Sequence, residues 1–495
     1  MAKTSLGGTE KTSSVGGGLQ DVTRASASVG SEATDVGASA EADEYFPEGG
    51  LQAWLTVLGA LLIQVCGFGY AGSLPLQLLP YHLLFCAANH CLDYYVRVYL
   101  ANVSTSAISW IGSTNSFLVM ACGLPVGRLY DHGYFYYLLW GGFVLVSLSL
   151  FMLSLAEEGQ FYQASRSYLH HLHPILIHRA PQIFLAQGIA TGLGIGMLYV
   201  PSMAALSHYF RRRQSFVMSI AASGSSLGAI AHTLMLNNTL DGLGFARATR
   251  AHAGLVSGLL LIACLLMRTR LPPPSTRPDL RQAIKRFSKD VPYVCAGLAC
   301  SLFIMGMYFP LFYIQLDAIK HGINKEVAFY VLVIMNVCSF IGRFSSGFLI
   351  APFGVPKLIA FCSACCAIVI FCMIAVESLA GIISVGATFG LFSGVYVALV
   401  APLMASLASD RSEIGIRMGI GFTLTGFGGL CGTPIEGALL TQDYHWWRPE
   451  IFAGVSLLRR VRVDSLDAEH CPNPVYGHRR LRLLLRHALL PAPTR

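Results

Sequence analysis

The sequence carries little charge for its length. Lys, Arg, Asp and Glu make up 12% of its 495 residues, whereas a soluble globular chain usually carries about 25%. Hydrophobic residues make up 54%, and apolar runs of about 20 residues, each able to cross ~30 Å of hydrocarbon, recur along most of the chain. This composition excludes an ordinary soluble domain. It predicts an all-α polytopic protein whose surroundings are the lipid bilayer.

The sequence also lacks the patterns of enzymes and metalloproteins. No nucleophile–base set stands out, so we do not expect an enzyme. Four of the 14 cysteines, Cys362, Cys365, Cys366 and Cys372, form a cluster within one apolar run, where thiols behave as small hydrophobes. A group of histidines between residues 164 and 182 is interrupted by Pro174, which breaks a shared helix face. We therefore expect no metal and no cofactor.

The apolar runs divide the chain into two halves. We predict a disordered cytoplasmic tail over 1–45, a first helix bundle over 46–267, a basic cytoplasmic linker over 268–290 and a second bundle over 291–458. The eleven predicted spans are Leu51–Ser73, Ser106–Val126, Tyr134–Leu155, Ile183–Ser207, Gln214–Leu236, Ala253–Met267, Val291–Leu316, Val327–Ile350, Lys357–Val376, Leu379–Leu407 and Met418–Thr441.

Three segments do not fit this pattern. Residues 74–92 and 164–182 interrupt the first half as inserts. After the eleventh span only Ile451–Leu458 is apolar, and 459–495 is rich in Arg and lacks Lys. Our hypothesis for the three segments is two retained introns and one frameshift, or an erroneous gene model; true adaptations are the alternative.

The distribution of basic residues predicts the topology. The net charge of +8 lies mainly in loops such as Arg211–Arg213 and 268–289 and in the C-terminal tail. Basic loops near membrane helices face the cytoplasm, so this charge orients the chain and does not indicate a nucleic-acid partner. The N-terminus is then cytoplasmic, and two glycosylation sequons, at Asn102 and Asn237, face outward.

The loop that follows the second predicted span contains four residues that suggest a gating role. The stretch Gly127-Arg128-Leu129-Tyr130-Asp131-His132-Gly133 resembles, in compressed form, the loop between the second and third helices of the major facilitator superfamily. The resemblance implies two six-helix bundles and a loop that locks the cytoplasmic helix ends through Gly127, Arg128, Asp131 and Gly133. Because the apolar segment after the eleventh span is short, we predict that the twelfth helix is missing. Physically, Gly permits a tight turn, and Asp131 can cap a helix start or accept from a basic partner.

Further stretches resemble the monocarboxylate transporters, in particular a fungal branch. They are Pro47-Glu48-Gly49-Gly50 followed by Trp54, Tyr209-Phe210-Arg211-Arg212-Arg213, Ser223-Gly224-Ser225-Ser226-Leu227-Gly228, and Ser412-Glu413-Ile414-Gly415-Ile416-Arg417-Met418-Gly419. In the second half, Gly347 and Gly354 keep the glycines of the gating loop. Ala351 and Pro352 stand where the superfamily usually has Asp and Arg.

Arg343 is the single charge in the span Val327–Ile350. A charge at membrane depth costs at least ~2.5 kcal/mol, and it persists where it faces a cavity or a partner. Its position resembles that of the substrate-carboxylate-binding arginine of monocarboxylate transporters, and its planar fork suits a carboxylate. We favour substrate binding; snorkelling to the cytoplasmic interface is the alternative.

The chain departs from the animal members of that family at two proton-coupling positions. Ser339 stands where they have Asp, and Ser73 is the nearest equivalent of their Lys. His232 and Glu436 remain as candidates for proton coupling, with a structural or interfacial role as the alternative. Asn336 and Gln64 are candidates for orienting the substrate by hydrogen bonds.

The sequence therefore predicts a secondary transporter of small organic anions. It would work by alternating access, with proton symport as the candidate form of coupling, in the plasma membrane rather than an organelle membrane. A transporter of another metabolite such as riboflavin is one alternative, and a non-transporting membrane sensor is another.

Overall fold

A computed structural model describes residues 48–71, 105–155, 184–271, 280–408, 413–440 and 446–470. Across these ranges the chain is helical and contains no strand. Some of the predicted features lie outside them: the tail 1–45, the inserts 74–92 and 164–182, the sequon at Asn102 and residues 471–495.

The helices follow the apolar runs. They are α1 (Leu51–Gln64, continued by the π-helical turn Val65–Gly69), α2 (Thr105–Ala121 and Gly123–Asp131), α3 (Phe135–Ser154), α4 (Thr191–Ala205, preceded by the π-helical Phe184–Ala190), α5 (Gln214–Thr239), α6 (Ala246–Leu266), α7 (Leu280–Phe287), α8 (Val291–Lys320), α9 (Lys325–Phe353), α10 (Val355–Met373), α11 (Leu379–Ser406), α12 (Ile414–Leu440) and α13 (Trp447–His470). Within the described residues, ten helices are long and apolar enough to span a membrane. Each of the eleven predicted spans coincides with one helix from α1 to α6 or from α8 to α12.

Helix α6 begins at Ala246 rather than at the predicted Ala253. Helices α5 and α6 are joined by a kink at Gly244, where φ is 74°, a conformation that glycine adopts at little cost. The polar residues around the kink suggested a loop, but Arg247 and Arg250 are exposed on helical turns. The apolar run alone therefore placed the start of this helix too late.

The C-terminal region contains a helix where the sequence predicted that the twelfth helix is missing. Residues Trp447–His470 form the helix α13, which packs against α8 and α10. Ala453 and Leu457 are fully buried, and Gly306 on α8 lies close to both. A twelfth helix therefore exists, although α13 is not among the helices apolar enough to span a membrane. Two side chains of its short apolar segment, one small and one aliphatic, fit the face of α8.

Glycines bring the helices within each half close together. On α5, Gly224 faces the backbone of Leu61 on α1, and Gly228 faces that of Val65. On α11, Gly390 and Gly394 face the α9 backbone in the same way. Small residues at such positions allow van der Waals packing in a medium that gives helices little hydrophobic reason to associate.

The two halves meet along two helix pairs. Helix α2 packs on α12, and α5 packs on α9. At the α2–α12 contact, Gly123 lies against Gly419 and Gly127 against Gly415. These pairs enclose the space in which the candidate site lies. The exact bundle boundaries at 267 and 291 stay predictions.

Candidate substrate site

A cavity of about 100 Å³ lies between the two halves. Helices α1, α2 and α5 line it on one side, and α8, α9 and α11 on the other. Its described lining is mainly apolar and aromatic, with Phe68, Tyr308 and Phe389 among its members, and it includes no carboxylate. The polar lining comes from Ser116, Ser225, Asn336, Ser339, Arg343 and Ser393.

Arg343 reaches this cavity from α9. It lies ten residues before the end of the helix at Phe353, which corresponds to about 15 Å at 1.5 Å per residue. Its Nη1 donates to the Ser225 hydroxyl and, at 3.3 Å, to the Ala222 carbonyl. These contacts hold the guanidinium against α5.

The guanidinium is only partly satisfied. Its Nε has no hydrogen-bond partner, and none of the carboxylates in the described part of the chain forms an ion pair with it. A half-buried cation in an apolar cavity without an anion is costly. Arg343 is thus a cation in the cavity wall without a carboxylate partner among the described residues.

Asn336 and Ser339 line the cavity two turns and one turn before Arg343. The Asn336 amide donates to the Leu332 carbonyl on its own helix at 3.0 Å. Ser339 accepts from the Ser226 hydroxyl on α5 at 3.1 Å. The position that carries Asp in animal monocarboxylate transporters therefore joins two helices here through neutral hydroxyls.

Gln64 does not line the cavity. It is buried on α1 with 3% exposure, and its Nε2 has no hydrogen-bond partner. The structure thus brings Arg343 and Asn336 together but leaves Gln64 outside. The sequence indicates that all three lie within membrane spans, yet it does not specify how α1 is oriented about its axis.

His232 is fully buried and hydrogen-bonded through both ring nitrogens. Its Nε2 lies 3.1 Å from the Val65 carbonyl on α1, and its Nδ1 lies 2.9 Å from Nε2 of His252 on α6. His252, which sequence reasoning missed, also stacks on Tyr70, with ring centroids 5.5 Å apart. Its only signal in the sequence is a polar residue immediately before the predicted start of a span at Ala253.

Glu436 is fully buried on α12, and neither carboxyl oxygen has a hydrogen-bond partner. It does not line the cavity. Its helix faces α8 through Gly428 and Gly432, and Glu436 lies one turn beyond Gly432. A lone carboxylate in such a place is expensive to ionise, so this side chain is suited to holding a proton.

The gating loop contacts the other half of the molecule. Asp131, at the end of α2, accepts from the Ile416 backbone N–H at 3.0 Å. It thereby caps the first turn of α12, where N–H groups have no intrahelical partner. Burial raises the pKa of the Asp131 carboxyl to about 8, while backbone hydrogen bonds from Ile416 and Gly415 oppose the rise.

The other three gating-loop residues have different roles. Gly127 lies against the Gly415 backbone, where a side chain would clash. Gly133 adopts φ 87° and permits the turn into α3. Arg128 is exposed, and its carbonyl lies 2.7 Å from Nδ1 of His132. Among the glycosylation candidates, Asn237 is exposed at the far end of α5.

A second contact at the same end of the molecule involves the linker. Arg417 on α12 is 2% exposed, donates to Asp290 at 2.9 Å and to the Leu407 carbonyl at 2.6 Å, and lies 4.3 Å from the Phe287 ring centre. Arg286 on α7 binds Glu413 at 2.6 Å. The sequence offers only a family resemblance for the 412–419 stretch; in the structure, Glu413 and Arg417 anchor the linker.

Comparison with known proteins identifies the family. A family model described as Major Facilitator Superfamily matches residues 56–433. The chain belongs to the major facilitator superfamily. The aspyridones efflux protein apdF of Emericella nidulans is 32% identical over 416 residues, covering 84% of this chain and 77% of that protein. The chain thus has fungal transporters as relatives, and the transporter class is established.

Two solved structures of the superfamily share the fold. The proton:xylose symporter XylE has a TM-score of 0.61 at 13% identity, covering 83% of this chain and 94% of its own. The human organic anion transporter MFSD10 has a TM-score of 0.60 at 14% identity, covering 83% and 98%. These likenesses confirm the all-α fold. The family and the ten candidate membrane helices among the described residues indicate a multi-pass membrane protein. The monocarboxylate branch stays a prediction.

Proposed function

We propose that this transporter exports amphipathic organic acids, binding the acid group at Arg343 and exchanging protons for the cargo. The observation that carries the proposal is the Arg343 guanidinium, which lines a mainly apolar cavity and has no anionic partner among the described residues. Intramembrane charges are functional by default because they are costly to keep. A substrate carboxylate would supply the missing charge and two oxygens for the planar fork.

The remaining cavity wall suits an apolar body. Phe68, Tyr308 and Phe389 contribute aromatic surface, and methionines at 307 and 335 contribute adaptable surface. Methionine fits irregular ligands because its side chain is flexible and polarizable. An acid with an aromatic or aliphatic body therefore matches the cavity better than a highly polar sugar does.

Export as the direction is supported by the relative named as an efflux protein. In the structure, the halves are joined at the predicted cytoplasmic end through Asp131 and Ile416. Separation of this contact would open the cavity to the cytoplasm in an alternating-access cycle. Release outside a cell requires the plasma membrane, which is the localisation we propose.

Proton exchange is supported by the buried acid Glu436 and the buried imidazole His232. The membrane potential supplies about 2.3 kcal/mol per charge per 100 mV, enough to drive accumulation when protons move with or against the cargo. The Asp that couples protons in animal monocarboxylate transporters is replaced here by Ser339. Coupling would therefore rely on other side chains.

The test uses purified protein in proteoliposomes. A panel of radiolabelled aromatic and aliphatic carboxylates is compared with the matching primary amides, which keep the body of each molecule but remove its charge. We expect saturable transport of at least one carboxylate and at least tenfold slower transport of its amide, a difference of about 1.4 kcal/mol in transition-state binding. Equal rates for every pair would contradict acid recognition, and no transport of any compound would contradict the cargo class.

A further inference from the structure

His232 and His252 form a hydrogen-bonded pair whose proton positions follow from their partners. The Val65 carbonyl can only accept, so Nε2 of His232 carries a hydrogen. In a neutral imidazole the other nitrogen is then an acceptor, so Nδ1 of His232 accepts from Nε2–H of His252 at 2.9 Å. In the uncharged pair, Nδ1 of His252 therefore carries no hydrogen, and it is the ring nitrogen that can take up a proton.

This arrangement accommodates one additional proton and no more. A proton added at Nδ1 of His252 leaves both existing hydrogen bonds intact, and the bridging hydrogen can shift so that either ring carries the charge. A second proton would place hydrogens on both nitrogens of the 2.9 Å bridge, and the bridge would break. The two histidines therefore constitute one titrating unit rather than two independent groups.

Among the described residues, no carboxylate lies against the histidine pair. From α1 the titratable neighbours are Tyr70, which stacks on His252, and Cys66, whose thiol donates to the Val256 carbonyl at 3.7 Å. From α4, the neutral Gln187 donates to the Tyr70 hydroxyl at 3.2 Å. Arg343 on α9 is held at Ser225, two helical turns from His232. Arg247 and Arg250 on α6 are exposed.

The pair is connected to the substrate cavity through α1. Val65 begins the π-helical turn Val65–Gly69, an element that often marks functional sites. Phe68, within the same turn, lines the cavity. Charging the pair strengthens the bond to the Val65 carbonyl, because hydrogen bonds from a charged donor are roughly twice as strong as neutral ones. The protonation state can thereby bias the position of the Phe68 ring.

We infer that His232 and His252 form a single-proton binding site, in which Nδ1 of His252 receives the proton and His232 transmits its charge to the π-helical turn of α1. His252 is thus the proton-accepting residue, and His232 is a positioning residue. The consequence for transport, a pH dependence set by this pair, rests on the proposed proton-coupled export.

A proton titration tests the site without any cargo. The detergent-purified protein is titrated with a pH-indicator dye from about pH 8 to about pH 5, the range in which histidines charge. The comparison protein is the double variant His232→Gln/His252→Gln, whose two amides can reproduce the relay to Val65 but cannot titrate. We expect the wild type to bind about one more proton per chain than the variant. A difference of two, or of none, overturns the inference.

Two further measurements keep the test independent of folding and of cargo. If the double variant elutes as aggregate, ¹⁵N-histidine NMR of the wild type decides: a coupling across the N–H···N bridge is expected, and its absence overturns the pairing. In proteoliposomes, the double variant should shift the pH profile of carboxylate transport, while His321→Gln, at an exposed position after α8, should keep the wild-type profile. An unchanged profile overturns the role in coupling and leaves acid export standing.

Discussion

At the scale of single residues, position within the cavity distinguishes Arg343 from the other intramembrane polar groups. Its side chain is held by α5 through Ser225 and Ala222, and one guanidinium nitrogen remains unpaired. Substitution by Lys keeps the positive charge but removes the planar fork. The role of the fork can therefore be separated from the role of the charge.

We predict that Arg343→Lys lowers carboxylate transport at least tenfold, about 1.4 kcal/mol, with little effect on folding. Proteoliposome transport and the melting temperature in detergent are measured together. Arg213→Lys, at an exposed position before α5, is the control. Normal transport by Arg343→Lys would show that the side chain only packs or snorkels.

Glu436 is predicted to matter for its proton rather than for its volume. Glu436→Gln keeps the shape of the protonated acid, so the melting temperature should stay close to that of the wild type. Accumulation driven by a pH gradient should be lost, because the amide cannot release a proton, while counterflow of cargo across the membrane should persist. Glu326→Gln, at an exposed site in the first turn of α9, should retain both activities. Full gradient-driven accumulation by Glu436→Gln would exclude this acid from coupling.

At the scale of elements, two of the stretches that carry the family resemblance contact each other in the structure. The Glu48 carboxylate accepts from the backbone N–H groups of Arg211, Arg212 and Arg213 at 2.9, 2.5 and 3.3 Å. Trp54 packs edge-on against Phe210, with ring centroids 5.7 Å apart. The acid-Gly-Gly-aromatic stretch therefore anchors the start of α1 to the loop before α5.

Glu48→Ala should destabilise this junction by about 1 kcal/mol, the usual net contribution of an intramolecular hydrogen bond. The measurement is thermal unfolding in detergent. Glu377→Ala, in an exposed loop between α10 and α11, is the matched control. A melting temperature that falls equally in both variants would contradict the role of Glu48 in anchoring α1 to this loop.

Helices α9 and α11 pack closely because glycines lie at their contact. A side chain at Gly390 would meet the Met335 backbone, and backbone cannot move aside as a flexible side chain can. We predict that Gly390→Val destabilises the protein by about 1–3 kcal/mol through overpacking. Gly258→Val on α6 has open space around it and should cost less. Fluorescence-detected size-exclusion chromatography after heating compares the two, and equal losses would contradict the argument.

At the scale of the whole molecule, the C-terminal helix decides whether the second half is complete. Helix α13 packs through Ala453 and Leu457, but its apolar stretch from Ile451 to Leu458 covers only about 12 Å. The arginines that follow each resist burial by a few kcal/mol. The apolar stretch of α13 is therefore shorter than the bilayer is thick.

Replacing Arg459, Arg460 and Arg462 together by Leu should raise both surface expression and transport, because the helix can then continue through the hydrocarbon. The matched control replaces the same three residues by Lys, which keeps the charge. Cell-surface labelling and transport are measured for both variants. Equal values for the Leu and Lys variants would show that the native helix already completes the bundle.

The sequence by itself determined the membrane class and most of the helices, and it singled out Arg343 as a candidate site residue. Each follows from a local property: apolar length against bilayer thickness, or the cost of one charge in an apolar segment. The start of α6 and the packed helix α13 did not follow. Helix α6 includes polar residues that follow the glycine kink. Helix α13 packs on a complementary face of α8 although its own apolar stretch is short.

Only the tertiary structure decided which polar residues meet. Gln64 and Arg343 looked alike as polar groups within spans, yet only Arg343 reaches the cavity. His252 became visible through its 2.9 Å contact with His232, twenty residues away along the chain. The physical reason is that a helix's rotation about its axis is set by packing against its neighbours, through glycines such as Gly228 and Gly390, and no local pattern specifies that rotation.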